Sequence, residues 1–153
     1  MTRKCKILIL LNLIIIISCS SYSVPECIKP HQKDLKIKWG EIHSSNNDTN
    51  SYILLADGSL TKVTVSNGIE KKIKIGFLKN ENICNLIKMI DKAMINTQAL
   101  NVPCDTCRFV IFENKKTDTF FKAVWNPKFH TLGNIHFREV YDSLELYKNL
   151  IKN

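Results

Sequence analysis

Two glycine-containing turn dipeptides constrain the fold of this chain more than any other feature. Asp57-Gly58 separates the apolar runs 52–56 and 60–65, and Asn67-Gly68 separates the second run from a third at 69–77. Asp-Gly and Asn-Gly tolerate the positive φ angles that type I′ turns require, so each dipeptide predicts a tight β-hairpin. Together with an alternating run at 35–39, they predict an antiparallel meander of about four strands.

Each strand of the meander carries its own pattern. In 35–39, apolar residues alternate with lysines, which is typical of a half-buried strand. Beyond Gly40 the alternation breaks because Ile42 falls on the lysine face, and a bulge at Gly40-Glu41 would return Ile42 to the core. The run 52–56 is apolar at both odd and even positions, which predicts a strand covered on both faces or packed at the sheet centre. In 69–77, one face is apolar and the other is charged, so the charged face is expected to be exposed to solvent.

The second half of the chain predicts two helices and two further strands. Apolar residues from Ile83 to Met94 recur at spacings of three and four, which predicts a helix capped by Asn80. Strands follow at 109–112 and 119–125, and a helix at 137–151 closes the chain. In 119–125, Phe120 and Phe121 project to opposite faces, so one of them is exposed unless another layer covers it. The order β-β-β-β-α-β-β-α predicts an α+β domain at 35–153, with an antiparallel sheet and helices on one face.

The N-terminal segment has the pattern of an export signal. A basic start precedes the eleven-residue apolar run Ile7–Ile17, which suits a signal peptide and is shorter than the roughly 20 residues of a spanning helix. The run ends in Ile16-Ile17-Ser18-Cys19. This tetrapeptide resembles the lipobox of bacterial lipoproteins.

The lipobox resemblance implies a specific processing and location. Residues 1–18 would be removed as a signal peptide, Cys19 would be lipidated, and 19–34 would form the lipidated cysteine and its tether. The implied location is the bacterial cell envelope, membrane-anchored on the non-cytoplasmic side, in the periplasm or at the cell surface. The alternative is an ordinary secretory signal, cut after Ser21 or Ser23.

The cysteines outside the signal predict disulfide bonds. Removal of Cys5 with the signal and lipidation of Cys19 would leave four cysteines in the body: Cys27, Cys84, Cys104 and Cys107. An even number of thiols in an exported protein favours disulfides, and the sequence leaves all three pairings open.

Two chemical alternatives centre on the pair Cys104-x-x-Cys107. Thiol-disulfide oxidoreductases place such a pair before a helix, whereas here it leads into a strand, which argues against redox catalysis. A zinc site would need a second ligand pair, for which His130 and His136 are the candidates, although they lie in a segment without regular periodicity. A structural disulfide is the favoured interpretation.

The remaining features favour binding over catalysis. The chain contains no local motif for nucleophilic, metal or phosphate chemistry, so we expect no enzyme activity and no cofactor. The net charge of +8 falls to +5 without the signal, and the lysines are scattered along the chain, which argues against nucleic acid as a partner. The sequence thus predicts a non-enzymatic binding module, with the membrane and an envelope protein as partners. A further hypothesis is inhibition of a partner enzyme by the polar loop Ser44–Asn50.

Overall fold

A computed structural model describes residues 24–45, 48–97 and 100–151 of the 153-residue chain. The predicted signal peptide and Cys19 lie outside the described residues. The described part of the chain forms seven strands and two α-helices: β1 Leu35–His43, β2 Asp48–Leu55, β3 Ser59–Ser66, β4 Ile69–Phe77, α1 Asn80–Asn96, β5 Leu100–Asn101, β6 Thr106–Asn114, β7 Thr119–Trp125 and α2 Ile135–Ile151. Short 3-10 turns lie at Pro30–Gln32 and Lys115–Thr117.

The strands form one sheet in the order β4-β3-β2-β1-β6-β7-β5. All neighbouring strands are antiparallel except β5, which pairs with β7 in parallel. The predicted α+β class is confirmed, and the sheet is mostly antiparallel. The parallel strand β5 is not among the strands that the sequence predicts. Two residues are too few to show an alternating pattern.

The two predicted hairpin turns differ in conformation. Asn67 and Gly68 have φ angles of +51° and +77°, which fits the predicted type I′ turn. At the other turn only Gly58 has a positive φ, +82°, and three residues connect β2 to β3. The Asp57 carboxylate accepts a hydrogen bond from the Ser59 N–H at 2.9 Å, so this aspartate stabilises a longer turn than the sequence predicts.

Gly40 lies at a close approach of two strands, and the bulge predicted there is absent. The register of β1 is continuous against both neighbours, and the sheet's irregularity lies between Leu60 and Thr61 instead. A Cβ at position 40 would lie 2.1 Å from the backbone oxygen of Asn50, so this position requires glycine. Without a bulge, Ile42 stays on the same face as the lysines of β1.

Both helices pack on one face of the sheet, the helix face, as predicted. The buried face of α1 consists of Ile83, Leu86, Ile87, Ile90 and Ala93. The buried face of α2 consists of Phe137, Val140, Tyr141, Leu144 and Lys148. Asn80 is the first residue of α1 and not its cap, and α2 begins two residues before the predicted start. Of the helices that the described residues form, none is long and apolar enough to cross a bilayer.

Residues of the predicted tether belong to the folded body, which the sequence predicts to start at residue 35. Ile28 is buried in the main core, and Val24 and Cys27 pack against it. The side chain of Asn114 donates a hydrogen bond to the carbonyl of His31 at 2.9 Å. The second part of the predicted tether is therefore fixed to the body, because it supplies its own apolar contacts and a disulfide.

Candidate interaction surface

The four body cysteines form two disulfide bonds, which confirms the prediction of bridges. Cys27 is joined to Cys84 on α1, with a Cα–Cα distance of 5.7 Å. Cys104 is joined to Cys107 at the start of β6, with a Cα–Cα distance of 5.5 Å. The first bridge fastens the entering chain to the helix layer. The second closes a loop within the C-x-x-C pair.

The loop of the second disulfide is tied to the end of β1. Both the backbone N–H and the hydroxyl of Ser44 donate hydrogen bonds to the carbonyl of Asp105, at 2.9 and 3.1 Å. This contact draws Ser44 onto the body. The strand β2 begins at Asp48, so the loop proposed as inhibitory is shorter than the predicted Ser44–Asn50.

The structure does not assemble the candidate zinc ligands. The sulfurs of Cys104 and Cys107 are joined to each other, which leaves no thiolate there. The guanidinium of Arg138 donates to His130 Nε2 at 2.9 Å, and His136 lies 3.5 Å from Glu139. Within 24–45, 48–97 and 100–151, no three His, Cys, Asp or Glu side chains are grouped as metal ligands.

The face of the sheet opposite the helices carries a mixture of lysines and apolar side chains. We call it the open face, because its buried cluster contains no helix residue among those described. The strand register places on it Lys36, Lys38, Ile42, Ile53, Leu55, Val63, Val65, Glu70, Lys72, Lys74, Phe109, Ile111, Glu113, Phe120, Lys122 and Val124. Five lysines and two glutamates give this face a surplus of three positive charges at neutral pH.

The middle of the open face is tightly packed. Phe109, Val124 and Cys107 form a small buried cluster, with Ile42 and Ile111 packed against it. Phe109 is opposite Gly40 in the register, so the ring lies beside a position that has no side chain. This cluster gives the open face a rigid centre.

The lysines of the open face influence one another. Partial burial is the main cause that lowers the pKa of Lys38, and the positive charges of Lys36, Lys72 and Lys122 lower it further, while Glu70 raises it.

Two of these lysines have acidic partners. Lys36 lies 2.5 Å from Glu113, and Lys72 lies 2.6 Å from Glu70. In each pair the hydrogen bond from the lysine lowers the pKa of the glutamate. The other three lysines account for the positive surplus of the open face.

The apolar side chains at one end of the open face are solvent-exposed. Phe120 is 65% exposed and Leu55 is 42% exposed. The exposure of Leu55 corrects the prediction that 52–56 is covered on both faces, and the exposure of Phe120 confirms the expectation for the Phe120-Phe121 pair. Phe121, on the helix face, stacks on Phe137 with 5.0 Å between ring centroids.

The entering chain meets this same end. Val24 lines a cavity of about 450 Å³ together with Lys36, Leu55 and Glu113, which all belong to the open face. The cavity also contains charged residues of both signs from 33–36, Asp57 and Lys115. The first described residue therefore lies beside the exposed apolar rim formed by Leu55 and Phe120.

A second concave region, the polar cleft, lies between α2 and the sheet and has a volume of about 410 Å³. Arg108 donates to Glu41 at 3.1 Å and lies 4.8 Å above the Tyr141 ring. Lys148 pairs with Glu145 and lies 4.6 Å above the Tyr52 ring. These charged groups already bind one another, so the cleft joins helix to sheet.

The comparisons give this chain no family. No family model matches it, and no curated protein matches it either.

The sequence identified the individual residues of the open face but not the surface that they form. The lysines are dispersed between positions 36 and 122 and looked like scattered surface charge. Strand register brings them together, because side chains at matching positions of neighbouring strands share a face. Lysine at every second position of 36–38 and 72–74 was the one local signal.

Proposed function

We propose that this chain is a lipid-anchored protein of the bacterial cell envelope, and that its body is a non-enzymatic interaction module. The observation that carries the proposal is the order of features at the N-terminus: a basic start, an eleven-residue apolar run, and Ser18-Cys19 at its end. A signal of this form fits export, and acylation of the Cys19 thiol would supply the anchor. Two acyl chains hold a protein on a bilayer far more firmly than one.

The disulfides support an exported location for the body. Structural disulfides persist in oxidising compartments and are rare in the cytosol. Cys27–Cys84 lies between the entering segment and α1, and it fixes the chain only eight residues after Cys19. Such a bridge would transmit the position of the anchor directly to the body.

The open face supports a role in binding. Apolar residues as exposed as Phe120 and Leu55 occur singly on many proteins, but here they lie on one face with five lysines. The charged groups of the polar cleft are engaged with one another. The open face is therefore the surface that we assign to a partner.

Fractionation and intact mass test the anchor. In the bacterial host, the wild-type protein should pellet with membranes, and its mass should correspond to a chain that begins at Cys19 and carries acyl groups. Cys19→Ala should lose both properties. Cys5→Ala is the matched control, because that cysteine leaves with the signal. A wild-type chain that begins at residue 22 or 24 and stays in the soluble fraction would contradict the anchor.

A second candidate function is thiol-disulfide exchange at Cys104–Cys107, favoured by the finding that the two sulfurs of a C-x-x-C pair are joined to each other. Cys104 precedes β6 and Cys107 lies in it, so the pair leads into a strand and no helix N-terminus is available to lower the pKa of the first thiol. Reduction of a model disulfide substrate by added dithiothreitol, which would keep the Cys104/Cys107 pair reduced in each cycle, distinguishes the candidates. We expect the rate to be the same for wild type and Cys104→Ser/Cys107→Ser, and a loss in the variant would favour the exchange function.

A further inference from the structure

The length of chain between Cys19 and the folded body limits how far the body can stand from a bilayer. Val24 already packs against the core, so only the segment from Cys19 to Val24 is available as a spacer. Five residues span at most about 18 Å at 3.3–3.6 Å per residue. The part of the body next to Val24 would therefore lie at the membrane surface.

That part is the rim of the open face. Val24 shares a cavity with Lys36, Leu55 and Glu113. Leu55 is opposite Lys36 in the register, and Phe120 is opposite Glu113, so the rim runs across β2, β1, β6 and β7. Leu55 therefore lies near Val24, the residue at which the spacer would end.

The lysines lie in the next rows of the same face. Lys74, Lys38 and Lys122 form one row across the sheet, through Thr61, Ile53 and Ile111. Lys72 lies one row further from the rim. A surface with apolar side chains at its edge and lysines behind them is complementary to the interface of an anionic bilayer.

We propose that the open face lies against the membrane that holds the anchor, and that it binds anionic phospholipid through Lys38, Lys74 and Lys122 with Leu55 and Phe120 at the apolar boundary. This inference rests on the proposed function, because it takes the anchor at Cys19 as the origin of the spacer. The lysines attract the headgroups over a Debye length of about 8 Å at physiological ionic strength. The rim side chains enter the interface once contact is made.

Vesicle binding by the unlipidated body tests the face without the anchor. A polypeptide of residues 20–153 contains both disulfides and all of the described core. We expect it to co-sediment with vesicles of phosphatidylcholine and phosphatidylglycerol, and not with phosphatidylcholine alone. Binding should be lost at about 1 M salt, where the Debye length is about 3 Å.

Two pairs of matched variants locate the binding surface. Lys74→Gln/Lys122→Gln should weaken binding about tenfold or more, whereas Lys88→Gln/Lys92→Gln, with the same net charge, should leave it unchanged. All four lysines are exposed, and the control pair lies on α1. Phe120→Ser should weaken binding. Phe129→Ser is the control and should not, because Phe129 is similarly exposed, at 61%, but lies outside the open face.

The outcomes separate this inference from the proposed function. Equal binding to neutral vesicles, equal effects of both lysine sets, or no vesicle binding would overturn the membrane contact while leaving the Cys19 experiment untouched. Capture of the body by polyglutamate without vesicle binding would assign the open face to an acidic protein, and would also overturn the membrane contact. Specific vesicle binding with an unacylated Cys19 would retain the contact and reject the anchor. Circular dichroism and thiol counting establish that each variant is folded.

Discussion

The indole N–H of Trp39 on β1 donates a hydrogen bond to Glu145 Oε1 on α2, at 2.9 Å across 106 residues of sequence. Trp39 is buried, and the other carboxylate oxygen of Glu145 binds Lys148, which is also buried. A single carboxylate therefore satisfies two buried donors from two layers of the fold. This pairing fixes the position of α2 on the sheet.

Replacement of Glu145 should reveal the importance of that carboxylate. Glu145→Leu leaves the Trp39 N–H and the Lys148 ammonium without their acceptor, so we expect a loss of about 2–4 kcal/mol in the free energy of unfolding. Urea unfolding measures the loss. Glu139→Leu, at an exposed position of the same helix, is the control and should change stability by less than about 0.5 kcal/mol.

If Glu145→Leu destabilises the fold because it leaves the buried Lys148 ammonium unpaired, the double variant Glu145→Leu/Lys148→Met should recover part of the lost free energy of unfolding. A double variant as unstable as the sum of its single variants would show that Glu145 and Lys148 act independently. In that case the fold would depend on the Trp39 hydrogen bond and not on the ion pair.

The two disulfides should differ in their contribution to stability. Cys27–Cys84 closes a loop across 57 residues of sequence and Cys104–Cys107 one across three. Loop entropy then gives about 4 kcal/mol for the first bridge and about 2 kcal/mol for the second. Urea unfolding of Cys27→Ala/Cys84→Ala and Cys104→Ala/Cys107→Ala compares them. A larger loss from the second pair would contradict the loop-entropy argument.

Gly40 should tolerate no side chain. Gly40→Ala forces a Cβ to within 2.1 Å of the Asn50 oxygen, so β1 and β2 must separate, and we expect a loss of about 2–4 kcal/mol. Gly133→Ala is the control, because its Cβ would meet only the Thr131 hydroxyl at 3.9 Å. Thermal unfolding of the two variants measures the difference. Equal melting temperatures would show that the strands can relax around the methyl group.

Tyr141 should make the protein sensitive to alkaline pH. Burial, and then the negative charges of Glu145 and Glu41, raise the pKa of this phenol above its ordinary value, while Arg108 lowers it. The folded state therefore keeps a proton that the unfolded chain loses above about pH 10, so stability is full below that pH and falls as the pH rises. The slope from this one group is at most about 1.4 kcal/mol per pH unit.

Comparison of Tyr141→Phe with wild type checks the effect. The free energy of unfolding in urea is measured for each protein between pH 9 and 11 and compared with its own value at pH 8. The decrease should be smaller for the variant than for wild type. Tyr147→Phe on the same helix is the control. An identical pH dependence for Tyr141→Phe and wild type would remove Tyr141 as the cause.

Local patterns in the sequence predicted the elements of this fold because their signals are short-range. The Asn67-Gly68 turn and the apolar spacing from Ile83 to Met94 depend on backbone sterics and helical period, and the structure confirms the hairpin and the helix. The α+β class followed from their order. The prediction of a bulge at Gly40 was wrong. It assumed that Ile42 must lie in the main core, whereas the open face has an apolar cluster of its own, which includes Ile42.

The sequence alone determined most of the secondary structure and the even set of body cysteines, since these depend on neighbouring residues or on composition, and its export signal stays a prediction. Only the tertiary structure decided which cysteines pair, that Val24 and Ile28 belong to the body, and that lysines distant in sequence share one face. Those outcomes depend on strand register and helix packing, which join residues far apart in the chain. The Trp39–Glu145 bond belongs to this second kind, because 106 residues must fold before donor and acceptor meet.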